Sequence, residues 1–117
     1  MYNTLFNKLD ALEQKYIQFW IDVCKIESPT EYKEGVDRVG AYFIDKAKMH
    51  GWKVEVFKQS VSGDFVCITM NPEVEERPVV FSSHMDTVHP VGFFGEKIAT
   101  CDEVTGYLEC RRQKKQK

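Results

Sequence analysis

The stretch "VVFSSHMDTVHP", Val79 to Pro90, decides how the rest of the chain is read. An apolar, β-branched run leads into two serines, then a histidine, one residue, an aspartate and a threonine. The run "PVVFSS" reads as a strand, rich enough in apolar residues to be buried. His84 and Asp86 then stand at its C-terminal end, where α/β folds commonly place ligand-binding groups. Imidazole is a common metal ligand near neutral pH. In an extended chain the two side chains would point the same way. In a loop, Asp86 can fold back and accept the second ring N–H of His84, the arrangement that fixes the tautomer of a metal-bound histidine. Spacing alone leaves two readings open: part of a metal site, or a capped loop. Zinc sites need three or four protein ligands, and this stretch supplies one.

Outward from the motif, the hydrophobic period changes twice. Leu5, Leu9, Leu12, Tyr16, Phe19, Trp20 and Val23 recur at three- and four-residue steps, which predicts an amphipathic helix from Thr4 to Ile26. Asn3 or Thr4 is placed to cap its start. "ESPTEYKEG" breaks it, because Pro29 cannot continue a helix and Ser28 takes the extended bias before a proline. A second helix is expected from Thr30 or Glu31, with Val36, Val39, Tyr42, Phe43, Ala47 and Met49 near one face and Gly51 as its stop. Gly35 and Gly40 lower its propensity and mark candidate close contacts. "WKVEVFKQ" then alternates with period two, "SVSGDF" is a turn, and "FVCITM" is a more buried strand. "NPEVEER" is an exposed connection to the opening stretch. The order helix, helix, strand, strand, strand predicts an α/β class, with helices packed on one face of a sheet.

Composition excludes several function classes. The chain has 117 residues, enough for one domain of common size. Apolar residues make up 43% and charged residues 29%, and the net charge is -2, which gives no reason to expect nucleic acid or a membrane as partner. No apolar run reaches the roughly 20 residues of a membrane helix, and the N-terminus lacks the apolar core of a signal peptide. Cys24, Cys67, Cys101 and Cys110 show no C-x-x-C spacing. Cys24 and Cys67 lie in apolar contexts and are expected as buried thiols, so a reducing, cytoplasmic location is the default expectation.

"SSHMDTVHPVG" resembles the first metal motif of the dinuclear zinc aminoacylase/carboxypeptidase family, whose pattern is a buried strand followed by His-x-Asp-Thr-Val. "IESPT" is similar to that family's Ser-Pro-Ser segment, and "SGDFVCITM" to its hairpin strand. The likeness covers about residues 4–96. It implies a partial zinc-peptidase-like three-layer α/β fold, two N-terminal helices packed on a sheet of at least three strands. It also implies that His84 is a ligand to one of two zinc ions, and that Asp86, the catalytic aspartate of the pattern, is not a ligand but orients the imidazole. The implied activity is hydrolysis of peptide or N-acyl amino acid amide bonds, with a zinc-bound water as nucleophile and a glutamate as general base.

The rest of the family's site has no match in this sequence. Where a glycine-rich Asp-x-Lys segment should carry the bridging aspartate, the chain reads "GYLECRRQKKQK". His89 is a weak candidate for a second ligand, and Glu75–Glu76 reads as a solvated turn. His50 ends the second helix, where a cation suits the dipole. Asp102, Glu103, Cys101 and Cys110 have no assigned role. A short hairpin is expected around "EVTGYL". The expectation is therefore an incomplete catalytic domain over 1–108 and a basic, disordered tail over 109–117, the N-terminal part of a larger enzyme and inactive alone, with at most weak single-site zinc binding. The alternative is a non-enzymatic binding or regulatory module that associates with a full-length relative; self-association through an exposed sheet edge is a separate expectation.

Overall fold

The computed structural model describes residues 1–95, 100–101 and 108–109. The chain forms two compact units. One spans Ile26–Val91, and the other combines Met1–Lys25 with the described residues from Gly92 onward. In the second unit, helix α1 (Tyr2–Cys24) neighbours β3 (Thr100–Cys101), which pairs antiparallel with β4 (Leu108–Glu109). The two strands flank the segment the sequence marks as a hairpin. Of the expected basic tail over 109–117, Glu109 belongs to β4 and residues 110–117 lie outside the described residues.

Helix α1 forms where the apolar period predicts it, but it begins earlier. Its N-cap is Met1, with no side-chain cap bond, so neither Asn3 nor Thr4 caps it. None of its residues is buried. Cys24 and Cys67 are half-buried rather than buried thiols.

The unit from Ile26 to Val91 holds helix α2 (Lys33–Met49) and the strands β1 (Lys53–Phe57) and β2 (Phe65–Thr69). Helix α2 starts a few residues later than the sequence suggests, with Tyr32 as N-cap and no side-chain cap bond. Its end matches: Gly51 takes φ +71°, a conformation that favours glycine. The Gly51 N–H donates to Lys48 O at 3.0 Å and the Trp52 N–H to Ala47 O at 3.0 Å, closing a Schellman motif. The chain turns directly into β1. β1 and β2 pair antiparallel with Val54 opposite Ile68, Val56 opposite Val66 and Phe57 opposite Phe65. Helix α2 packs against both strands, and its Val36, Val39 and Ala47 are buried. The contact is close because Gly40 of α2 leaves the room that Val66 of β2 and Met85 occupy. A mixed α/β class describes this unit.

The sheet differs from the expectation of at least three strands. Among the described residues each ladder has two strands, and residues 78–84 carry none. Val79, Val80 and Phe81 are 81%, 80% and 90% exposed. A strand apolar on both faces needs neighbours and cover on both sides. Here its downstream end is drawn instead to the connection before α2, through an isolated parallel bridge between Pro29 and Thr87.

Helix and hairpin are held in register by one carboxylate. Asp64, buried at the hairpin turn, accepts Lys33 Nζ at 2.8 Å on one oxygen and Lys58 Nζ at 2.7 Å on the other. The Gln59 N–H donates to it at 2.9 Å, and the Asp64 N–H donates to Asp37 Oδ1 at 2.7 Å. Lys33 also pairs with Asp37 one helical turn away, at 2.9 Å. The bonds from Lys33, Lys58 and the Gln59 amide hold the Asp64 carboxyl well below the usual carboxylate range. Asp37 is lowered chiefly by the Asp64 N–H, and Lys33 is raised chiefly by Asp64.

The signs fix a pH dependence. A carboxylate with a depressed folded pKa stabilises the fold fully above its ordinary value of 3.8 and loses that contribution as pH falls toward the folded value. The raised Lys33 contributes throughout the range below its ordinary 10.5. Thermal melts should therefore be flat near neutrality and fall between about pH 5 and pH 2. Asp64→Asn should lower the midpoint at pH 7 and flatten the acid limb; an unchanged limb contradicts the assignment.

Candidate functional site

The site starts from a proline. Pro29 forbids helix between α1 and α2 and biases Ser28 to extended backbone, which leaves backbone groups of residues 28–30 to pair. They pair with the motif segment 85–87. The Thr87 N–H donates to Ser28 O at 2.8 Å, and the Thr30 N–H donates to Thr87 O at 3.0 Å. In this parallel bridge the residues flanking Pro29 make both bonds, so its missing N–H costs nothing. The buried Ser28 hydroxyl adds a bond to Met85 O at 2.9 Å. Met85 faces α2 at Gly40, so the middle residue of His84-Met85-Asp86 anchors the segment.

His84 and Asp86 project from this anchored segment. His84 Nδ1 lies 3.3 Å from Asp86 Oδ1, a long hydrogen bond. A carboxylate only accepts, so Nδ1 carries the proton in this contact. In the neutral ring Nε2 then keeps its lone pair, and it has no partner among the described residues. The other oxygen of Asp86 accepts the Thr30 hydroxyl at 2.7 Å. Thr30, ahead of the other contributions, lowers the Asp86 pKa. The imidazole side chain is 91% exposed and the carboxylate 30%. A cleft of about 240 Å³ lies beside the pair, with Val36 and Val66 among its lining and the hairpin turn from Ser62 to Phe65 also bordering it.

The geometry is one exposed imidazole with a carboxylate against its Nδ1. It does not assemble the remaining donors: among the described residues no group of three or more His, Cys, Asp or Glu could hold a metal ion. His89 is exposed and joins no such group. Glu75 and Glu76 are exposed in the connection after β2, as the sequence suggests. His50 caps α2 and stacks on Trp52, ring centroids 4.5 Å apart. Asp102, Glu103 and Cys110 lie outside the described residues, as does the side chain of Cys101.

In the sequence "SPT" marks a helix break and resembles a family segment, and nothing there assigns Ser28 and Thr30 a role at the site. The available signal was the alternation of two hydroxyl residues about a proline, a short extended segment with free backbone bonds. No family model, characterised protein or solved structure matches this chain.

Ser28→Ala tests the bridge. It leaves the part-buried Met85 carbonyl one partner short, and the melt should register a loss of about 1–2 kcal/mol. An unchanged melt would mean the bridge does not depend on this hydroxyl.

Proposed function

We propose that this chain carries the His-x-Asp part of a zinc amidohydrolase site, of the aminoacylase/carboxypeptidase kind that cleaves peptide or N-acyl amino acid amides. The supporting observation is the pairing of 28–30 with 85–87. Two separate segments that resemble the family's motifs meet there, and the meeting braces the carboxylate behind His84. Bound zinc would polarise an amide carbonyl and lower the pKa of a coordinated water. The chain's own residues do the preparation. Asp86 holds the Nδ1 proton, His84 keeps Nε2 available to a metal, and Met85 anchors the segment. Because the described residues supply one ligand and its orienter, no hydrolytic step is assigned to them. The chain alone should bind zinc weakly and turn over no amide substrate.

Zinc titration followed by NMR of the His84 ring, with an amide-hydrolysis assay on the same samples, tests this reading. The ring signals should move with zinc, and His84→Ala should abolish the response. Ring signals indifferent to zinc would overturn it, and so would amide hydrolysis by the chain alone.

A second reading, a non-enzymatic module that self-associates, is favoured by the exposure of Val79, Val80 and Phe81 and by the outer edges of the β1–β2 ladder, which pair with no strand among the described residues. Its occupant would be a second copy. Sedimentation should then show concentration-dependent association that Phe81→Lys weakens. A monomer at every concentration removes this reading.

A further inference from the structure

We infer that Thr30 is a positioning residue for His84, acting through Asp86. The inference rests on the half-site reading for its purpose, but its geometry stands on the metal-free chain.

The two oxygens of Asp86 have separate partners. Oδ1 faces His84 Nδ1 at 3.3 Å, and Oδ2 takes the Thr30 hydroxyl at 2.7 Å. The hydroxyl also lies 3.3 Å from Thr87 O, but it has one proton to give. The nearer, charged oxygen is the stronger acceptor, and Thr87 O is already served by the Thr30 N–H at 3.0 Å. The proton therefore goes to Asp86. With Oδ2 held, rotation of the carboxylate is restricted, and Oδ1 is presented to the imidazole.

The contact that fixes the tautomer is the longer of the two, and His84 is exposed. Left to itself, a long bond at a solvated ring is a poor restraint. The short bond on the far side of Asp86 is what keeps the acceptor in place. Thr30 is itself fixed, because its backbone belongs to the bridge and its β-branched side chain is stiff at χ1. The order of constraint runs from Pro29 and Thr87 through Thr30 to Asp86, and only then to His84. Orientation of an imidazole by an acceptor on its other nitrogen is the arrangement that favours a metal-ready Nε2.

The test is the tautomer of His84 in the metal-free, 15N-labelled chain, read from its ring nitrogen shifts at about pH 9, above the ordinary imidazole pKa of about 6.5. The wild type should show the Nδ1–H form as the major species. Thr30→Val keeps the branched shape but removes the hydroxyl, and should shift the ring toward a mixture with Nε2–H. Thr30→Ser restores a hydroxyl and should restore the wild-type spectrum. A general loss of packing would not be repaired by serine, so the pair separates positioning from a merely structural part. If Thr30→Val does not fold, Thr30→Ala carries the same expectation. A wild type already in the Nε2–H form overturns the inference, as does a hydroxyl-less variant with an unchanged spectrum. Since no metal is present, this result is independent of the zinc titration. Zinc-insensitive ring signals with a Thr30-dependent tautomer would reject the hydrolase reading and keep the positioning role.

Discussion

The parallel bridge between Ser28–Thr30 and Met85–Thr87 is the constraint on which the rest of the site depends. It joins residues 57 apart in sequence, so it closes a long stretch of chain with few backbone bonds. Two bonds alone would not offset that closure cost. They hold because neighbours add to them: the buried Ser28 hydroxyl on Met85 O, and Met85 itself against α2 at Gly40. Helix α2 thereby acts as a floor for the motif, although it contributes no side chain to the His84–Asp86 contact.

That floor is tied to the hairpin by Asp64. Four hydrogen bonds converge on this one residue, from α2, from the residues after β1, and back to Asp37. A buried carboxylate is tolerable only when it is paired and bonded in this way. The ion-pair group and the motif border the same cleft, so the hairpin turn and the imidazole are placed by two separate anchors on one helix. Val36 and Val39, buried between them, supply the apolar contact that the polar anchors orient.

Much of the 26–91 unit was legible in the sequence, because it is dictated locally. A period of 3.6 marks α2, and Gly51 marks its end by the positive φ it must take. The alternation in "WKVEVF" and the turn "SVSGD" mark the hairpin, and the Asn71-Pro72 connection reads as exposed. What was not legible depends on distant partners. "PVVFSS" has the composition of a buried strand, but composition cannot supply the neighbouring strands it needs, and in the described residues it has none. The stripe on α1 predicted a helix with a buried face, and the helix formed without one. At the site, His84 and Asp86 were visible because they are two residues apart. Thr30 was not, because its contact with Asp86 spans 56 residues and exists only once the bridge has formed.

The central claim is that the bridge is a formed, persistent element that presents His84. Hydrogen exchange of the Thr30 and Thr87 amides tests it most directly, since each donates across the bridge. Both should be protected together, with one opening free energy, while the amides of Val79 to Ser82 exchange freely. Thr30 and Thr87 amides exchanging as fast as those of Val79 to Ser82 would contradict it, and with it the placement of Asp86 behind the imidazole.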